Sequence, residues 1–176
     1  MLAWTITLVQ LTSAASAPDQ ADLFSRPLGL PLLEARLQDV EGVLGHATVR
    51  DEDAFVCYVA PTKDVFLRFV LDRWGAERRI GGFTMRELSG AAAAPCTLLP
   101  AVVEARARLS VGGLSLGMSR SEAIRVLGPG PQSSDGRLFR QFTGADRDIV
   151  ISARFHDDRL TELNVFAGWR RSTTMR

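Results

Sequence analysis

The chain has 176 residues, 46% hydrophobic and 23% charged, with a net charge of +1. That is the balance of a folded protein able to bury roughly 70% of its unfolded surface, in one domain or two small lobes. It excludes a global field that would draw the molecule to nucleic acid or anionic membrane.

The first seventeen residues stand apart. Leu2 to Leu11 is mostly apolar, no charged side chain precedes Asp19, and Ala15-Ser16-Ala17 supplies the small residues of a cleavage site. The pattern predicts a secretory signal peptide over residues 1–17 and a periplasmic or secreted protein. No Lys or Arg stands near Met1, which leaves the true start open. The apolar run is shorter than the about 20 residues a transmembrane helix needs, and no later segment resembles one. Export makes Cys57 and Cys96, the only cysteines, a predicted disulfide. With two distant histidines, His46 and His156, and no CxxC or HxxxH spacing, neither a metal site nor a cofactor is expected.

Residues 18–26 are a polar lead-in. A first helix is predicted from Pro31 to Leu44, because Leu33, Leu37, Val40 and Leu44 form one stripe. Pro31 suits its first turn, Gly42 weakens its last, and Gly45 fits the position just past its end. Phe55 to Ala60 and Val65 to Leu71 read as strands around a Pro61-Thr62-Lys63-Asp64 turn. Trp74-Gly75 breaks the pattern before a third strand from Ile80 to Leu88. Residues 89–95 are small and flexible, and Leu98 to Leu109 fits either a helix or an extended connection.

The second helix has its ends written in. Ser119 is an N-cap and Glu122 completes a capping box. Met118 is placed to staple Ala123, Ile124 and Leu127 to face the core, and Gly128-Pro129 to stop the helix. Leu138 to Phe142 is a short strand. Ile149 to His156 and Leu160 to Phe166 alternate around an Asp157-Asp158 turn, as a hairpin with one buried and one wet face. Leu28-Gly29 to Leu44-Gly45 reads as a weaker copy of Leu116 to Gly128. The prediction is an α+β chain of two tandem units, each a short helix or helical hairpin packed on an antiparallel meander. Its boundaries are 1–17 signal peptide, 18–90 first unit, 91–110 linker, 111–167 second unit and 168–176 basic tail.

The run Gly117-Met118-Ser119, Glu122 and Leu127-Gly128-Pro129, followed by a meander, resembles two exported bacterial groups. One is the BamE/SmpA-like family of outer-membrane-assembly lipoproteins, built of single units. The other is the tandem-repeat β-lactamase inhibitory protein (BLIP-like) group. The first unit departs from the motif, with Pro31 in place of Ser, and the chain lacks a lipid-attachment cysteine. The resemblance implies a fold and a habit of binding proteins, without placing binding residues.

Candidate chemistry is sparse. Cys57 with His46 would make a thiol nucleophile and base, but a strand cysteine in an exported protein reads as half of a disulfide. His156 beside Asp157 and Asp158 reads as turn chemistry, the charged run 50–53 as a solvated loop. The Gly128 to Pro131 run lacks the Lys and Thr of a phosphate loop. Trp74, Trp169 and Tyr58 are the nominated protein-binding residues, since aromatic residues near turns anchor interfaces. The expected function is non-catalytic binding of a protein partner or cell-envelope component through a sheet face, with no nucleic-acid partner. The alternative is an inhibitor of a secreted hydrolase, expected to show an aromatic and acidic concave face. An enzyme ranks third.

Overall fold

Alternation of branched or aromatic residues with smaller and polar ones produces nine strands in the computed structural model, which describes residues 20–47, 54–60, 65–72, 77–88, 96–100 and 109–170. They are β1 (Phe55–Val59), β2 (Val65–Leu71), β3 (Ile80–Glu87), β4 (Thr97–Leu98), β5 (Ser110–Val111), β6 (Leu114–Ser115), β7 (Leu138–Thr143), β8 (Arg147–His156) and β9 (Arg159–Trp169). Seven make one continuous sheet in the order β4-β1-β2-β3-β9-β8-β7, and β5 with β6 forms a small ribbon. All neighbours in the large sheet are antiparallel except β4, which runs parallel to β1. The chain is α+β. Among the described residues three helices accompany the sheet: α1 (Gln20–Phe24), α2 (Leu37–Leu44) and α3 (Arg120–Leu127), with a short 3-10 turn at Pro27–Gly29.

The described helices pack on one face of the sheet. Val40 and Leu44 of α2, Ala123 and Leu127 of α3 and Phe24 of α1 share a core with Tyr58, Leu67, Phe69, Phe83, Met85, Ile149, Ile151, Leu163 and Val165. Rings lock this layer: Phe24 stacks on Phe142 at 5.1 Å, and Phe69 lies 5.1 Å from Phe83. Such contacts add to the burial of large apolar area.

The strand predictions agree with the structure within a few residues. The first helix does not. It begins at Leu37, six residues after Pro31, because the preceding chain is joined to the sheet. Leu33 N–H donates to Ile80 O at 2.7 Å, Ile80 N–H donates to Ala35 O at 2.9 Å, and Arg36 bridges Arg79. Those bonds use donors and acceptors that a helix needs for its own ladder. Leu33 itself takes φ +69°, outside helical geometry. Gly42 stays helical, and Gly45 ends α2 at φ +88°. In α3 the capping box is present as expected: Ser119 N–H donates to Glu122 Oε2 at 3.0 Å, and Glu122 N–H donates to Ser119 Oγ at 3.3 Å. Its buried residues are Ala123 and Leu127, while Ile124 is only partly buried.

Two boundaries shift. The 91–110 segment read as a linker contributes β4, so part of it belongs to the sheet. The basic tail begins later than 168, since β9 runs through Trp169 and Arg170 N–H donates to Asp146 O at 3.0 Å. The signal peptide at 1–17, the 50–53 run, the 61–64 turn, Trp74-Gly75, residues 89–95, the helix-prone part of 98–109 and the tail from 171 lie outside the described residues. No described helix is long and apolar enough to cross a membrane.

Candidate protein-binding face

Strand alternation sends every second side chain of β1–β3 and β7–β9 away from the helices. The registers align these side chains in three rows across the sheet. The first runs Phe55, Val70, Gly82, Phe166, Val150, Gln141. The middle row runs Cys57, Arg68, Thr84, Asn164, Ser152, Phe139. The third runs Val59, Phe66, Arg86, Glu162, Arg154.

This face departs from the wet face that alternation predicts. Phe166 and Val150 are neighbours and stay 40% and 39% exposed, among the most exposed large apolar side chains described. The Phe166 ring lies over Gly82, where an added Cβ would come within 2.6 Å of it. Glycine at that position is therefore a packing requirement of the aromatic side chain. Phe66 on the same face is buried.

The middle row is polar and largely shielded: Thr84, Ser152 and Asn164 are buried. Arg68 Nη2 donates to Thr84 Oγ1 at 3.4 Å, the Thr84 hydroxyl donates to Asn164 Oδ1 at 2.8 Å, and Asn164 Nδ2 donates to Glu162 Oε1 at 2.8 Å. This chain crosses the β3–β9 seam. Arg68 Nε and Ser152 Oγ are buried without a hydrogen-bond partner among the described residues.

Two guanidiniums lie against rings on the β1–β3 half, Arg86 at 4.6 Å from the Phe66 centroid and Arg68 at 5.7 Å from that of Phe55. At the opposite corner, Arg154 meets Asp135 at 3.3 Å, and Arg137 meets Asp135 at 3.0 Å and Glu162 at 3.7 Å. An open cleft at that end is lined by Arg86, Glu87, Arg154, His156, Thr161 and Glu162.

The nominated residues are not brought together here. Tyr58 is fully buried on the helix side, its hydroxyl donating to Gly45 O at 2.9 Å. Burial, reinforced by the nearby Glu41 charge, pushes its pKa up to about 12. Tyr58 is thus a core residue, and its aromatic ring cannot anchor a partner. Trp169 is exposed at the end of β9, but it pairs with Arg147, whose guanidinium lies 5.5 Å from its ring and bonds Leu32 O and Glu34. That puts Trp169 at the helix-side margin. Trp74 lies outside the described residues.

Cys57 and Cys96 form a disulfide, so no thiol nucleophile faces His46. The imidazole of His46 is exposed and bonds Glu41 at 2.8 Å, and that of His156 is exposed 3.5 Å from Asp157. Asp157 and Asp158 take positive φ, as a tight hairpin turn requires. Among the described residues, no group of three or more His, Cys, Asp or Glu side chains is placed to hold a metal ion.

The residues missed by sequence reasoning are Phe66, Phe166, Arg68 and Arg86. Their signal is a parity conflict: Phe66 and Val70 alternate with Leu67, Phe69 and Leu71, so β2 is apolar on both faces. A strand covered on one side only does not need that.

Comparison with known proteins adds little. No family model matches the chain, and no curated protein matches it in sequence. Among solved structures it is similar to a DUF4309 family protein, YjgB, from Bacillus subtilis, at 12% identity over 85% of this chain and 93% of that one, with a TM-score of 0.49. The likeness is too distant to assign a family.

Proposed function

We propose that the chain is an exported, non-catalytic binding protein that presents the face of its sheet opposite the described helices to a protein partner. The observation that carries this reading is the pairing of exposed Phe166 and Val150 in the first row of that face, on the same face as two guanidiniums laid against rings. Aromatic and Arg side chains are the types that dominate binding energy at protein interfaces. A disulfide between Cys57 and Cys96 fits an extracytoplasmic location, in keeping with the signal peptide read at 1–17.

The same proposal takes the sheet as two fused tandem units. Helix α2 precedes the β1–β2–β3 meander, α3 precedes β7–β8–β9, and the last strand of each pairs across the seam. Fusion of that kind gives one broad surface rather than two small ones. It supports the resemblance carried by Gly117 to Pro129, in its BLIP-like more than its single-unit BamE-like form. The hydrolase-inhibitor alternative expects an acidic aromatic face. Here the aromatic part is met, but the charges on the β1–β3 half are Arg68 and Arg86, of the opposite sign.

The test is affinity capture of partners from the native cell envelope with the tagged full chain. Phe166→Asp and Val150→Asp should each abolish capture. Leu23→Asp and Val43→Asp, at exposed apolar positions on α1 and α2, should leave it intact. Equal capture by all four variants would remove the sheet face from the account.

A further inference from the structure

We infer that the partner docks through an extended acidic segment whose carboxylates meet Arg68 and Arg86 beside the exposed Phe166–Val150 pair. This rests on the binding role proposed for the face opposite the described helices and adds the chemistry of the occupant.

The argument is one of charge left over. Arg137 and Arg154 lie against Asp135, and Arg170 lies 3.8 Å from Asp148. Glu162 is engaged by Arg137 and by the Asn164 amide. Arg68 and Arg86 have no carboxylate within ion-pair distance among the described residues. Each guanidinium instead lies over a phenylalanine ring. An Arg offers five N–H donors in a planar fork. Arg68 uses one of them, toward Thr84, and its buried Nε has no acceptor. A buried donor without an acceptor is costly, and the Nη donors that Thr84 does not use are the ones an arriving carboxylate would take. Stacking against a ring holds the fork flat and lowers the entropy lost when it is engaged.

Spacing selects an extended protein segment. Arg68 pairs with Thr84, and Arg86 lies two residues further along β3, so the two arginines are diagonal neighbours on one face. Diagonal positions are about 7–8 Å apart, close to the separation of alternate side chains in an extended strand. Glutamates at every second position of such a segment would reach both. The net charge of +1 and the presence of just two arginines without a carboxylate partner in the described rows of this face disfavour a phosphate ladder, which needs a broader basic track.

The probes are short peptides of alternating Glu and Val, Gln and Val, and Lys and Val, together with a single-stranded oligonucleotide. Each is titrated into the full chain by calorimetry and by backbone amide shift mapping. The Glu–Val peptide should bind best, with shifts on β1, β2, β3 and β9, and should weaken as salt is raised. Arg68→Gln or Arg86→Gln should each weaken it by about tenfold, the loss expected when one partner of a close charge pair is removed. Arg86 is exposed, so Arg86→Gln keeps the fold and carries the test if Arg68→Gln does not. Equal binding of the Gln–Val peptide, indifference to both substitutions, preference for the oligonucleotide, or no binding of the Glu–Val peptide would each overturn the acidic segment. If envelope capture still depends on Phe166 and Val150 in those cases, the binding face survives and only the partner chemistry falls. Capture indifferent to all of these residues overturns both.

Discussion

The Tyr58 hydroxyl illustrates how one polar atom is accommodated in this core. Its ring fills space beside Phe69 at 6.4 Å, and its O–H reaches the Gly45 carbonyl left over at the end of α2. Replacing it with Phe keeps the shape and removes the bond, so Tyr58→Phe should cost about 1 kcal/mol in urea denaturation. The raised pKa has a consequence with a definite sign. The neutral phenol is the form the fold favours, so its contribution is complete below about pH 10, the unfolded value, and is lost as pH rises from there toward about 12. Wild-type stability should therefore fall across that window by more than that of Tyr58→Phe, measured by denaturation at stepped alkaline pH. Parallel alkaline losses would mean that the phenol is solvated. On the other side of the sheet, Thr84 both accepts from Arg68 and donates to Asn164. Thr84→Val leaves buried Asn164 Oδ1 without its hydroxyl donor, at an expected cost of about 1–3 kcal/mol. A cost near zero would show that the middle row is solvated.

Helix α3 depends on its first turn. Ser119→Ala should destabilise by about 1 kcal/mol, read by thermal or urea unfolding. Hydrogen bonds from the Ser119 side chain and backbone hold the Glu122 carboxyl below its ordinary range. Its contribution is present above the unfolded pKa of about 4.3 and fades as pH falls through the lower folded value. The gap between wild type and Ser119→Ala should narrow in acid, and a pH-independent gap would contradict the reciprocal box. This helix was legible because capping chemistry is local: Ser119, Glu122 and Gly128 state the ends within ten residues. The start of α2 was not legible for the converse reason. Pro31 and Leu33 fit a helical stripe, and only the pairing of Leu33 and Ala35 with Ile80, far along the chain, decides against it. Strand edges were readable from alternation. The join of β3 to β9, which makes one sheet of two meanders, leaves no mark in either strand alone. The proposed binding face was hidden by a related effect. Phe166 shares parity with Glu162 and Asn164, so it reads as an incidental residue on a wet face until the register sets it beside Val150.

For the molecule as a whole, the sheet is tied at one edge by a covalent link. The Cys57–Cys96 bridge spans 39 positions and holds β4 beside β1. In the chain-entropy description a loop of that length stabilises by about 4 kcal/mol. Reduction, or Cys57→Ala with Cys96→Ala, should lower the unfolding free energy by that order, and a loss well under 1 kcal/mol would show that the edge is held by pairing alone. The other lasting property of the described residues is asymmetry between faces: one carries the described helices and the apolar core, the other rows of Phe, Arg and shielded polar groups. The most direct test of that division is photo-crosslinking in the native host, with a photoreactive phenylalanine placed in turn at Val70, Val150 and Phe166 and, as controls, at Leu23 and Val43. A discrete protein adduct from the three sheet positions and none from the two helix positions is the predicted result. Adducts from Leu23 or Val43 with none from the sheet would contradict the account and place binding on the helical side.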